Sequence, residues 1–144
     1  MTINLIKLGV GVADIKEMAE LQQKRYMDYH GQVAFPVWTR RKPVRDKELL
    51  NGGSLYRVIK NKIQCRQRIL GLEIVEDEEL GKHCLIMVDP EIIETVKQPH
   101  RPFQGWRYYE SAKAPKDMGV FDPNAPEQNI PAELEEDLRA SGLL

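Results

Sequence analysis

The stretch SLYRVIKNKIQCRQRILGLEIV, residues 54–75, decides the fold. Apolar and β-branched side chains recur on both sides of Asn61-Lys62, and such a pattern is typical of two strands joined by a tight turn. We therefore predict a β-hairpin whose turn lies at Asn61-Lys62. The acidic run EDEELG that follows is predicted to form the next turn, and KHCLIMV the next strand.

One helix is predicted to follow the first strand. The segment INLIKLGVGV, residues 3–12, has the apolar and β-branched content of a buried strand. After it, the spacing of Asp14 and Glu17 is that of a helix N-cap. Apolar side chains then recur at helical intervals as far as Tyr29, and Gly31 is predicted to end the helix.

Further strands are predicted at residues 33–39, where Pro36 favours an edge position, and at FQGWRYY, while EIIETV suits a helical turn or a strand. Because strands outnumber helices, the predicted fold class is α+β: a mostly antiparallel curled sheet, or a small barrel, with one main helix packed on it. Residues 1–116 are predicted to form this single domain. Residues 117–144 are predicted to be an acidic, proline-containing tail, in which residues 131–140 suit a short helix.

Length and composition fit a single packed domain. The chain has 144 residues, of which 42% are hydrophobic, enough for one core. No apolar run approaches the roughly 20 residues of a membrane helix, and the N-terminus does not resemble a signal peptide, so we expect a cytoplasmic protein without membrane contact. Cys65 and Cys84 are predicted to be buried thiols rather than a disulfide.

Charge is segregated along the chain. Residues 37–68 hold ten basic and two acidic side chains, a net charge of +8, whereas residues 117–144 hold seven acidic and one basic, a net charge of −6. Segregation of this kind points to a charged partner. It also suggests that the tail folds back onto the basic surface, so deleting residues 119–144 should strengthen binding.

Alternation in the second arm of the hairpin predicts a basic stripe, because residues two apart in a strand share a face. The side chains expected on this face are those of Lys62, Gln64, Arg66 and Arg68; those of Ile63, Cys65 and Ile69 share the other. Arg40, Arg41 and Lys42 extend the stripe if the second strand lies nearby. Such a stripe suits nucleic-acid phosphates, and the alternative is a solvated face whose cations pair with the carboxylates of residues 76–79.

RPFQGWRYYE, residues 101–110, combines two arginines with large aromatic side chains. Guanidinium groups bind phosphates and aromatic rings stack on unpaired bases, so Arg101, Trp106 and Arg107 are candidate nucleic-acid contacts. Alternation nevertheless puts Trp106 on an aromatic face, which favours a core position with its N–H hydrogen-bonded. Arg101 and Arg107 are then the surface candidates.

Patterns for metal or nucleophilic chemistry are weak. His30, His83 and His100 are far apart, and no metal-ligand spacing joins them. NGGS lacks the lysine of a phosphate-binding loop and is predicted to be a tight turn. We therefore assign no catalytic residue, metal ligand or cofactor; a small-molecule enzyme would need His83 or His100 beside Cys84 or a carboxylate in a concave pocket.

With these segments in place, the chain resembles an uncharacterised bacterial family, domain of unknown function fourteen eighty-nine. The segments that carry the resemblance are LIKLGVGV, ELLNGGSLYRVIKNKIQCRQRILGLE, VDPE and RPFQGWRYYESAKAPKDM, which are distributed along residues 3–118. Arg57 stands where the resemblance leads us to expect a tryptophan. The family implies no activity, so no residue role follows from it.

TRRKP followed by ELLNGGSLYRVI is also similar to PUA-like barrels, a superfamily that includes RNA-binding domains. That resemblance implies a small barrel and favours RNA, or another polyanion, as the partner of the basic face. The alternative is an assembly factor that docks an acidic protein and presents Leu134 and Leu138 on a short helix. An enzyme acting on a small molecule is the third hypothesis.

Overall fold

A computed structural model describes residues 2–122, which form one sheet of nine strands with one main helix. The strands are β1 Ile3–Leu8, β2 Met27–Tyr29, β3 Gln32–Thr39, β4 Ser54–Ile59, β5 Lys62–Asp77, β6 Gly81–Val88, β7 Ile93–Pro99, β8 Trp106–Glu110 and β9 Asp117–Val120. The helices are α1 Ile15–Gln23, α2 Asp46–Leu49 and a 3-10 turn at Ser111–Lys113. Residues 131–140, the predicted tail helix, lie outside the described residues.

The sheet runs in the order β2-β3-β6-β5-β4-β1-β8, and β7 and β9 extend it beside β5. Among the described strands only β1 and β4 pair in parallel. β5 has 16 residues and pairs with β4 and β7 along its first half and with β6 along its second. Its pairing with β6 shifts between Ile69 and Gly71, and the resulting bend curls the sheet. The predicted α+β fold with a mostly antiparallel curled sheet is confirmed.

The strands that the structure describes do not close into a barrel: β3 and β8 are not paired with each other. Residues 40–45, directly after β3, bridge the gap. The indole N–H of Trp106 donates to the carbonyl of Arg41 at 2.6 Å, and the backbone N–H of Arg45 donates to the hydroxyl of Tyr108 at 3.1 Å. We call this junction between β3 and β8 the seam.

The main core lies inside the curl, between the two halves of the sheet. Its buried side chains are Ile3, Leu5, Val37, Leu49, Leu55, Ile69, Leu72, Cys84, Ile86, Val88 and Trp106. α1 covers a second cluster that contains Cys65, and Asp14 caps this helix by accepting from the backbone N–H of Glu17 at 2.8 Å. The predicted helix cap and the two buried thiols are confirmed.

The predicted helix was too long. α1 ends at Gln23, and Met27–Tyr29 form β2, which pairs antiparallel with the start of β3. His30 and Gly31, between these strands, have φ angles of 50° and 86°, as a two-residue hairpin turn requires. The conformation of these two turn residues therefore favours a hairpin over the longer helix that the spacing of the aromatic side chains predicted.

Two other local predictions change in detail. The turn of the β4–β5 hairpin lies at Lys60-Asn61, one residue earlier than predicted, and their φ angles are 50° and 64°. Asp117–Val120, which the sequence analysis placed in the tail, form β9 against β7. EIIETV contributes to strand β7 rather than to a helical turn.

A buried amide pair joins α1 to the sheet. Gln67, which interrupts the apolar side of β5, donates to the Gln22 side chain at 2.7 Å and to the carbonyl of Asp89 at 3.0 Å. Gln22 donates back at 3.0 Å, and both amides are buried. A polar side chain at this position is therefore explained by its partner on the helix.

We expect Gln67→Leu to lower the free energy of unfolding by about 1–3 kcal/mol, because the amide of Gln22 is left buried without a partner. The double variant Gln22→Leu/Gln67→Leu should recover most of that loss, since both polar groups are then removed. Urea unfolding of the four members of this cycle measures the coupling. Additive losses would contradict the pairing.

Candidate functional site

A β-bulge breaks the predicted basic stripe. Opposite β4, the register passes from Arg57–Cys65 to Val58–Ile63, so Gln64 is an extra residue. Ile63 and Cys65 consequently pack in different clusters on opposite faces. The prediction that one face carries the whole stripe is therefore wrong: the bulge puts Lys62 on the face opposite Arg66 and Arg68.

Arg66 on that face is already paired. Its guanidinium donates to both carboxylate oxygens of Asp117, at 2.9 and 2.7 Å, and to the hydroxyl of Ser54 at 2.8 Å. The hydrogen bond to Arg66 holds the pKa of Asp117 below its usual range. The predicted pairing with residues 76–79 is replaced, for Arg66, by this bond to β9. Arg68 is exposed.

The other predicted cations are divided among several environments. Lys42 lies 3.5 Å from a carboxylate oxygen of Asp46. The Arg107 guanidinium lies 4.6 Å from the ring centroid of Phe103, and Arg101 is exposed. Leu134 and Leu138, together with nearly all of residues 119–144, lie outside the described residues, so the tail hypotheses stay predictions.

Arg40, Arg41 and Trp106 are brought together at the seam. They border a cleft of about 600 Å³, which we call the seam cleft. Its lining residues are Lys7, Trp38, Thr39, Arg40, Arg41, Gln104, Gly105 and Trp106. Three of these are cations, and no carboxylate occurs among the described residues that line it. The cleft therefore favours an anion.

Trp106 is a core residue that forms one wall of the cleft. It is 8% exposed, its N–H is hydrogen-bonded as predicted, and it packs edge to face against Tyr108 with centroids 4.9 Å apart. The Arg41 guanidinium lies 4.8 Å from its ring centroid. The indole fixes Arg41 at the seam and offers little open surface to a base.

Sequence reasoning missed Lys7, the third cation of the cleft. Lys7 lies on β1 between Arg57 of β4 and Trp106 of β8, its register partners on the two sides. Burial lowers the pKa of its amine, and the charge of Arg57 lowers it further. A lysine inside the apolar run INLIKL was the available signal.

Arg57 adds positive charge behind the cleft. Its side chain is 8% exposed, one terminal nitrogen donates to the carbonyl of Leu8 at 3.1 Å, and its Nε has no hydrogen-bond partner in the described part of the chain. Burial lowers its pKa, and among the described residues no carboxylate is paired with it. Lys7 and Arg57 thus form a pair of neighbouring cations.

Thr39 and Trp38 border the cleft from β3. Thr39 is two residues from Val37 of the main core and shares its inward face, whereas Trp38 points outward. The Trp38 ring is 41% exposed and lies beside His83, with ring centroids 5.6 Å apart. Trp38 therefore offers an exposed aromatic surface at the rim of the cleft.

The two cysteines and His83 lie in separate environments within the described residues. Burial raises the pKa of Cys65 to about 12 and also raises that of Cys84, so both remain thiols. The ring of His83 lies against Trp38, and its neighbour Cys84 points inward to the main core. Within residues 2–122 no three His, Cys, Asp or Glu side chains are clustered as metal ligands, and no helix is long and apolar enough to cross a membrane.

The fold and the cleft define a class of protein: a small α+β domain whose curled sheet carries a cationic cleft at its seam. Residues 5–144 match the family model described as Protein of unknown function (DUF1489), and the chain belongs to this family. No curated protein and no solved structure matches the chain, so the similarity to PUA-like barrels stays a prediction.

Proposed function

We propose that the protein binds single-stranded RNA, or a similar polyanion, through the seam cleft. The observation that carries the proposal is the lining itself: three cations, two tryptophans and no carboxylate among the described residues around a space of about 600 Å³. Phosphates supply the negative charge that these side chains lack. Unpaired bases supply flat surfaces for an exposed aromatic ring.

Arg40 and Arg41 are the principal phosphate contacts in this proposal. Arg40 is exposed and has no ion pair with a described residue, whereas Arg41 is held in position by the indole of Trp106. A guanidinium group held in place loses little conformational entropy when it binds a phosphate. Trp38, exposed at the rim, is the stacking surface in place of Trp106.

The size of the cleft favours a single strand over a duplex. A space of about 600 Å³ is in the range of small-molecule sites and accepts one nucleotide rather than a double helix. Arg66 on β5 does not extend this site, because its guanidinium is paired with Asp117. The proposed RNA contact is therefore at the seam rather than on the β4–β5 hairpin.

We expect Arg40→Gln/Arg41→Gln to weaken binding of a short single-stranded RNA by roughly tenfold or more at moderate salt. The two lost phosphate contacts should also make the slope of log affinity against log salt shallower by about 1.4, since each contact contributes about 0.7 for single strands. Fluorescence anisotropy across a salt series measures both. The carbonyl of Arg41 still accepts from Trp106 in this variant, so the seam should persist.

The matched control is Arg68→Gln/Lys97→Gln, which removes the same charge from two exposed residues away from the seam. It should leave affinity and salt slope close to those of the wild type. Equal losses in both double variants would show that only net charge matters. Absence of binding by the wild-type protein at low salt would overturn the proposal.

A further inference from the structure

Thr39 is a buried residue that brings a hydroxyl group to the seam cleft. It is 2% exposed, it lines the seam cleft, and its hydroxyl makes no hydrogen bond to any residue that the structure describes. Among residues 2–122 the enclosed polar side-chain atom without a hydrogen-bond partner is Arg57 Nε, so the Thr39 hydroxyl is not sealed off and keeps access to the cleft that Thr39 lines. This hydroxyl is therefore available to a group that enters the cleft.

Within residues 2–122, no carboxylate is paired with the cations at the same place. Lys7 lines the cleft, and Arg57 is its register neighbour on β4. Neither forms an ion pair with a carboxylate of residues 2–122, although both lose hydration by burial. Arg57 is buried and Lys7 is half-buried, and two neighbouring cations of this kind are stabilised best by a ligand with close to two negative charges.

Resting on the RNA-binding function proposed above, we propose that the floor of the seam cleft recognises a phosphate monoester at the end of an RNA chain. A monoester carries about −1.5 to −2 charges at pH 7, whereas each internal phosphodiester carries one. Lys7 and Arg41 neutralise the dianion and Thr39 donates its hydroxyl to a phosphate oxygen. Arg57 does not line the cleft and attracts the phosphate through its positive charge. The rest of the RNA chain passes out of the cleft across Arg40 and Trp38.

Three RNAs of identical sequence test this: one with a 5′-phosphate, one with a 3′-phosphate and one with hydroxyls at both ends. One phosphorylated RNA should bind at least about tenfold more tightly than the hydroxyl-terminated RNA, and which one does so identifies the end that is read. Inorganic phosphate should compete with that RNA. Direct titration by anisotropy or calorimetry gives the affinities.

Thr39→Val keeps the shape of the side chain and removes its hydroxyl, so it should reduce the preference for the phosphorylated end while leaving binding of the hydroxyl-terminated RNA close to the wild-type level. Thr95→Val is the matched control, because Thr95 is equally buried but its hydroxyl donates to the carbonyl of Val96 on β7. Thermal unfolding checks that both variants fold. Lys7→Met is a second variant and should also lose the preference.

The outcomes separate the two proposals. Equal affinity of the wild-type protein for all three RNAs would overturn terminal phosphate recognition and leave RNA binding intact. Failure to bind any of the RNAs would overturn RNA binding itself. An unchanged preference in both Thr39→Val and Lys7→Met would overturn the assignment of these side chains to the phosphate.

Discussion

Gly53→Ala is expected to destabilise the protein by about 3 kcal/mol, close to the upper end for overpacking a core. A Cβ on Gly53 would lie 2.5 Å from the carbonyl oxygens of both Ile3 and Leu49. Neither oxygen can withdraw freely. Leu49 accepts from the backbone N–H of Gly53 at 2.9 Å, and Ile3 lies in β1, where it is paired with Glu110 of β8.

A shift at Gly53 would also spread to β5, because the carbonyl of Gly53 accepts from the backbone N–H of Ile69 at 3.0 Å. The expected fall in melting temperature is about 10 °C for a domain of this size. Thermal unfolding by circular dichroism measures it, and urea unfolding gives the free energy.

Gly52→Ala is the matched control on the preceding residue. Gly52 has a φ of 88°, and no described atom lies within 4 Å of a Cβ built there. Its substitution should therefore cost only the roughly 1–2 kcal/mol of the left-handed conformation. A loss of stability in Gly52→Ala that equals or exceeds the loss in Gly53→Ala would contradict the packing argument.

The predicted tight turn at NGGS is thus followed by a close backbone contact. At Gly53 the chain approaches the backbone of both Ile3 and Leu49.

Local patterns predicted most of the strands because apolar alternation depends on neighbouring residues alone. The β4–β5 hairpin and the strand KHCLIMV were found in this way. The β2–β3 hairpin was missed because Met27–Tyr29 is only three residues long and because Tyr29, with Tyr26 before the strand, also fits a helical period. The bulge at Gln64 depends on how β5 pairs with β4, so alternation within β5 could not reveal it.

The seam cleft was only partly predictable for a related reason. The sequence predicted three of its residues as nucleic-acid contacts, namely the cations Arg40 and Arg41 and the aromatic residue Trp106. The sequence did not single out Thr39 or Lys7, because both lie in largely apolar segments of the kind that form buried strands. The pairing of β1 with β8 puts Lys7 beside Trp106, about a hundred positions away, and the hydrogen bond from Trp106 to the carbonyl of Arg41 brings Thr39 to the same cleft. No spacing in the sequence encodes that contact.

Arg57→Met is expected to raise the free energy of unfolding by about 1–2 kcal/mol, since a buried charge without a carboxylate is often replaced with a gain in stability. Methionine retains much of the apolar stem and loses only the hydrogen bond to the carbonyl of Leu8. Terminal phosphate recognition should weaken in the same variant. Many proteins retain a residue that lowers their stability because that residue is needed for function.

The variant Arg57→Lys distinguishes the effect of the positive charge on stability from the effect of the side-chain shape. Lysine retains the positive charge on a different side chain, so this variant should show no gain in stability. Urea unfolding at pH 7 compares the two variants with the wild type. A comparable gain from Arg57→Lys would show that the shape of the arginine, rather than its charge, is unfavourable.

The gain from Arg57→Met should also depend on pH in a direction set by Lys7. Burial and then Arg57 lower the pKa of Lys7 from 10.5, so the protonated amine is disfavoured in the folded protein. That penalty is complete below the folded pKa of Lys7 and disappears as the pH rises from that value towards 10.5. The repulsion between Lys7 and Arg57 disappears with it, and the stability gained from Arg57→Met should shrink over the same range.

The same substitution in the background of Lys7→Met tests this coupling. There the stability gained from Arg57→Met should be smaller at neutral pH by roughly 0.5 kcal/mol or more, because the partner charge is already absent. The gain should also lose its dependence on pH. An advantage of the same size in both backgrounds would show that Arg57 does not act on Lys7.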